Sequence, residues 1–266
     1  MIDRFFVSLI RPSRIGLYMK DKIWMPIVHM LIMLILGATL LAVRSFTMDY
    51  FSSSTRYTIT KSIQSVKKEM NIKYVDNKLI GGNVILNLDD YFISFNGETK
   101  SPTMTKISVY FTEDKVRIEY LFERKTINYS DLNFNESFDL ELVRNNNIES
   151  SMNFGIFIDK IFNNFNTNYQ RAIFIGDVLY SVLFLGVCLI LSLVSSYFSN
   201  PPIDMPIRIR LCMYDTLIYF IPVYFSFALG INWILYIGLA LSYIYTKITF
   251  SRIRKVRIRK WLVWIF

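Results

Sequence analysis

Four apolar runs, each long enough to cross a bilayer as a helix, constrain this chain more than anything else in it. A spanning helix needs about 20 residues. Residues 23–43 read IWMPIVHMLIMLILGATLLAV, and a second run covers 172–198. The third, 211–229, reads LCMYDTLIYFIPVYFSFAL, and the fourth is 231–250. They are too long and too apolar for amphipathic surface helices. The chain is also 53% hydrophobic, above the roughly 45–50% of soluble domains. The predicted fold class is an α-helical integral membrane protein with four transmembrane helices. An α+β extracytoplasmic domain, 44–171, lies between the first and second helices.

Charge sets the expected orientation. Residues 44–171 hold sixteen Lys/Arg and sixteen Asp/Glu, so the net charge of +9 comes entirely from the rest of the chain. Outside that segment the basic residues fall in an arm at 1–22, in the 199–210 connection, and from Lys247 onward. With four spans these three places share one face, and Lys and Arg in short loops favour the cytoplasm. Both termini are therefore expected inside, with 44–171 outside. The first run reads as an uncleaved anchor. Its 21 residues exceed the usual signal-peptide core of about 7–15, and no small-residue cleavage site follows it.

The stretch SRIRKVRIRKWLVWIF, 251–266, is the strongest of the three markers. Arg252, Arg254, Lys255, Arg257, Arg259 and Lys260 precede Trp261 and Trp264. A span ends immediately before it, which disfavours a nucleic-acid arm. Anionic headgroups of a lipid bilayer would attract it at about 1 kcal/mol per basic residue, and the two tryptophans suit an interface. Ile253, Val256 and Ile258 share no helical face, so the stretch is predicted to be a poor amphipathic helix.

The outer segment contains no cysteine, so its core must hold without disulfides. A polar helix is expected over 54–70. Strands follow at NVILNL and YFISF, the second ending at Asn96-Gly97, a strong tight-turn pair. KISVYFTEDKVRIEYLF sets Ile107, Val109 and Phe111 opposite Val116, Ile118, Tyr120 and Phe122 in a hairpin. Phe154, Phe157, Ile158, Ile161, Phe162, Phe165 and Tyr169 recur at helical spacing. They predict an amphipathic helix that packs on the sheet and leads directly into the second span, where it could transmit movement. The sequons at Asn128 and Asn135 lie among sixteen Asn residues of this segment and read as chance matches.

Catalysis is not indicated. The single His, His29, lies inside the first span. The outer segment therefore has no Ser-His or Cys-His pair and no His-based metal set, and no phosphate-binding glycine loop occurs. No cofactor and no metal is expected. Ionisable groups within spans are costly and point to function or packing. At 1.5 Å per residue His29 and Asp215 lie roughly 9 and 6 Å from the inner face, and Arg44 and Asp177 both lie near the outer one. His29–Asp215 and Arg44–Asp177 are the expected pairs, fixing helix packing or serving a transport path. Arg208 and Arg210 are alternative partners for Asp215.

The opening RFFVSLIRPSRIGLYMKDKIWMPIVHMLIMLILG resembles the start of an uncharacterised bacterial membrane family labelled maltodextrin utilisation proteins, through Phe5, Phe6, Ser8 and Pro12. The layout of one span, an outer domain, three spans and a basic tail is similar too. The resemblance implies a Gram-positive or mollicute plasma membrane and an accessory role in carbohydrate uptake. Two functions are thus expected to compete. One is a non-enzymatic accessory or sensor protein whose outer domain binds a ligand or a membrane-protein partner. The other is a small transporter or channel subunit using its His and Asp groups.

Overall fold

The computed structural model describes residues 2–51, 53–97, 103, 105–198 and 203–263, with backbone alone for Ile2, Phe5, Ser53 and residues 254–263. The chain divides into two compact units, one of residues 1–44 and 174–266, the other of residues 45–173. Among the described residues four helical stretches are long and apolar enough to cross a membrane, and they contain the four expected runs except for the first residues, Ile23 and Ile231, of two of them.

The first unit opens with helix α1 (Ile2–Ile10) and a 3-10 segment, Pro12–Lys20, before α2 (Trp24–Thr47). Pro12 and Pro26 both sit in first turns, where a missing N–H costs nothing. The 3-10 segment packs against α6 (Met205–Asp215) and α8 (Leu235–Val263). The N-terminal arm is therefore folded onto the helices. The tyrosine hydroxyl of Tyr245 donates to the Leu9 carbonyl at 2.6 Å, and Arg210 donates to the carbonyl of Met19.

The third span differs most from its sequence expectation. Instead of one helix over 211–229, α6 starts at Met205, tightens to a 3-10 turn at Thr216–Tyr219, and resumes as α7 (Phe220–Leu229). Pro222 explains the break. It cannot donate to the carbonyl of Ile218 four residues earlier, and its ring crowds that carbonyl, so the preceding turn cannot stay α-helical. Of the apolar window of this span 72% is buried in the protein, against 28–33% for the other three. It is the central helix of its unit. Gly230 ends α7 with φ at +72°, a left-handed position that glycine occupies without strain.

The fourth span enters by a 3-10 turn, Asn232–Ile234, and α8 then runs to Val263 without a boundary at Ser251. The basic stretch therefore continues the same helix as far as Val263. Neither Gly nor Pro occurs in it, Lys and Arg are good helix formers, and cations suit a helix C-terminus.

In the second unit α3 (Ser53–Gln64) is followed by β1 (Ile72–Val75), β2 (Lys78–Gly81), β3 (Val84–Asn87), β4 (Tyr91–Phe95), β5 (Ile107–Phe111), β6 (Lys115–Tyr120), β7 (Glu123–Asn128) and β8 (Phe138–Asp139). A short α4 (Leu140–Arg144) then leads to α5 (Ile148–Phe198). The strands form sheets of order β3-β4-β5-β6-β7 and β2-β1-β8. The expected β5–β6 hairpin is present, with Val109 opposite Ile118 and Phe111 opposite Val116. Asn96-Gly97, by contrast, does not close a hairpin: β4 and β5 are parallel. Asn96 is left-handed at φ +51° and turns the chain out of the sheet. Phe122, expected in a strand, is 54% exposed in the turn between β6 and β7. Alternation alone cannot mark where a strand stops and its turn begins.

The aromatic stripe of α5 forms the core. Phe154, Phe157, Ile158, Ile161, Phe162 and Phe165 are all buried, in one cluster with Val109, Phe111, Val116 and Ile118. The Phe157 ring lies 4.7 Å from that of Tyr74 and 5.1 Å from that of Phe138. Each fully buried Phe contributes about 1.5–3 kcal/mol by removal from water. The helix continues unbroken through 51 residues to Phe198, so the amphipathic helix and the second span are one element, as their adjacency in sequence predicts.

Candidate functional site

Asp215 stands at the C-terminal end of α6, where the third span breaks, and it is completely buried. Its Oδ1 accepts from the Thr249 hydroxyl of α8 at 2.6 Å. The same Thr249 oxygen lies 3.0 Å from the carbonyl of Pro12. A hydroxyl has one hydrogen, so the two acceptors share it, and Thr249 links three elements: the end of α6, the middle of α8, and the start of the first 3-10 segment. Thr246 is also near the carboxyl, though its own hydrogen goes to the Ser242 carbonyl at 2.9 Å. The second carboxyl oxygen, Oδ2, has no hydrogen-bond partner among the described residues. A buried carboxyl tolerates an apolar surround only through such bonds.

His29 is 2% exposed, and its ring centre lies 6.0 Å from that of Tyr214, the residue before Asp215. The contacts seen at Asp215 itself are to hydroxyls, so the structure gathers His29 and Asp215 around α6 through Tyr214 and Thr249. Tyr214 also donates to Asp21 Oδ2 at 2.8 Å, and Asp21 is ion-paired with Arg4 at 2.9 Å. Arg208, one of the alternative partners, is buried. It donates to Ser196 Oγ at 3.2 Å with its guanidinium 4.4 Å over the Tyr197 ring.

Arg44 and Asp177 are within electrostatic reach of one another. Arg44 also donates to the carbonyl of Phe227 at 3.2 Å, and a Cβ at Gly230 would fall 2.2 Å from its Nη2. Its guanidinium thus caps the C-terminus of α7, where unsatisfied carbonyls favour a cation.

Of the basic stretch Arg252 is exposed on α8. The side chains of Arg254, Lys255, Arg257, Arg259, Lys260 and Trp261, and all of Trp264, lie outside the described residues.

Sequence reasoning missed Thr249, Pro12, Tyr214 and Asp21. Threonine and proline in apolar or loop sequence carry no charge signal. Asp21, adjoining the basic residues Lys20 and Lys22, could have been flagged as the one acid next to the first span.

In the second unit a groove of about 560 Å³ runs over the five-stranded sheet, with Tyr110, Lys115, Arg117, Arg124 and Thr126 among its lining. These residues alternate with the core-facing ones on the same strands, so they occupy the sheet face away from α5. The architecture is that of a helix set apolar enough for a membrane joined to a separate β-sheet unit. No family model, curated protein or solved structure matches the chain.

Proposed function

We propose that the chain is a non-enzymatic plasma-membrane protein, both termini cytoplasmic and residues 44–171 outside, that binds a ligand or partner through its outer unit and assembles with or regulates a transporter or signalling complex. The observation that carries this reading is α5. Its first half supplies the core of the β-sheet unit and its second half is long and apolar enough to span a membrane, with no linker between them. A binding event that alters packing around Phe157 or Phe162 acts on the same helix that enters the bilayer. The resemblance of the opening motif makes a carbohydrate transporter the first partner to seek. The basic arm and tail hold anionic headgroups on the inner face.

Affinity purification of the full chain in mild detergent tests this. A stoichiometric membrane-protein partner is expected. Substrate flux by the purified chain alone in liposomes would overturn the reading in favour of a small transporter, for which the interrupted third span at a buried Asp215 is the specific support. Asp215→Asn and His29→Asn separate the cases further. Unaltered partner assembly with lost flux marks a transport path, and lost folding yield marks a packing role.

A further inference from the structure

The sheet face away from α5 carries a local excess of positive charge. Elsewhere in the unit the ion pairs are one to one: Arg56 with Asp159, Lys73 with Asp139 and Lys78 with Glu113, each at 3.0 Å, and Arg144 with Glu141. On β6 and β7, however, Arg117 at 3.2 Å and Arg124 at 2.6 Å reach the same oxygen, Oε1 of Glu119. Lys115 has no carboxylate partner among the described residues. Two guanidinium groups therefore share one carboxylate, and Lys115 adds a third cation beside them, in a segment whose sixteen basic and sixteen acidic residues balance overall.

These cations are also positioned. Arg117 lies across from Tyr110 on one side and Thr126 on the other in the strand register. Its guanidinium is 4.7 Å from the centre of the Tyr110 ring, a cation–π contact that holds the fork flat. The side chains of Arg117 and Arg124 remain 45% and 67% exposed, so an incoming group reaches them without unfolding anything. With Lys115 they line the groove of about 560 Å³, within the roughly 300–1,000 Å³ of small-molecule sites.

We propose that this groove binds a phosphate-bearing ligand, its oxyanions taking the place of the missing second carboxylate. An excess of two positive charges matches a phosphate monoester of about −1.5 to −2, or two successive diesters, better than a single carboxylate. Guanidinium forks pair with phosphate oxygens two at a time. The inference rests on the ligand-binding role proposed above for this unit and names the chemistry of that ligand.

The test uses the full chain in nanodiscs of zwitterionic lipid. Binding is measured for glycerol 3-phosphate, for a short synthetic oligo(glycerol phosphate), and for an oligoglutamate of matched charge. One of the two phosphate probes is expected to bind, and which one does tells a small monoester from a polymer. Removing two charge-assisted contacts in Arg117→Gln/Arg124→Gln is expected to weaken that binding about tenfold or more. Lys78→Gln, a paired cation outside the groove, leaves it unchanged. The basic tail is common to all variants and cancels. Lys115→Gln, at an exposed strand start, gives a second readout if the double variant folds poorly. Equal binding of oligoglutamate, or no effect of either groove variant, overturns the proposal. Absence of phosphate binding while a partner still co-purifies sinks the groove and leaves the accessory reading standing.

Discussion

Thr249 supplies the single hydroxyl between Asp215 and the Pro12 carbonyl, and a missing hydroxyl there strands a buried carboxyl oxygen. Thr249→Val is expected to cost about 1–3 kcal/mol, and Thr249→Ser to restore most of it. Thermal unfolding in detergent, followed by Trp fluorescence, measures this, because all four tryptophans lie outside 44–171. A second residue-scale prediction concerns acid. Glu141 accepts from Arg144 and from the Met70 amide, which lowers its pKa from 4.5 to about 2. Its contribution is full above pH 4.5 and is lost as pH falls toward about 2. Glu141→Gln should therefore flatten that acid limb in circular dichroism of the β-sheet unit and leave its stability at pH 7 less dependent on Arg144. Charged residues were legible at this scale because ionisable groups inside apolar runs stand out. The uncharged groups that meet them were not, because Thr249, Tyr214 and a backbone carbonyl look like ordinary filler until the helices pack.

Among the elements α5 was the most legible. Its periodic aromatic face and its apolar continuation adjoin without Gly-Pro punctuation, and one helix of 51 residues results. Phe157→Ala removes a ring shared by Tyr74, Phe111, Tyr129, Phe134 and Phe138. A loss of about 3–5 kcal/mol is expected, seen as earlier hydrogen exchange in β5 and β6 while Trp fluorescence of the other unit is unchanged. An unaltered exchange pattern would contradict the assignment of Phe157 to the centre of this core. The third span was less legible. Its composition reads as one helix, and only Pro222 hints that the turn at Thr216–Tyr219 tightens. The parallel pairing of β4 with β5 was not legible either. A turn dipeptide specifies local backbone angles, and the choice of partner strand is made by distant residues of the same sheet.

For the whole molecule the charge asymmetry is the strongest guide, and it makes a direct prediction. A reporter active only in the cytoplasm, fused after Phe266, is expected to work, whereas one inserted near Asn133 is not. The reverse pattern would overturn the proposed orientation. The backbone of SRIRKVRIRKWLVWIF as far as Val263 is the end of α8, and the reporter fused after Phe266 tests its proposed place on the inner face. Sequence by itself determined that four helices can cross a bilayer, that a neutral domain separates the first from the second, and that its core needs no disulfide. Those properties follow from length, hydropathy and composition, which are local and additive. Tertiary structure decided the rest: that the N-terminal arm docks on α6 and α8, that Asp215 is held by Thr249, that Arg44 caps α7, and that three cations converge on one groove. Each of these depends on residues far apart in the chain, whose meeting is set by the packing of whole elements.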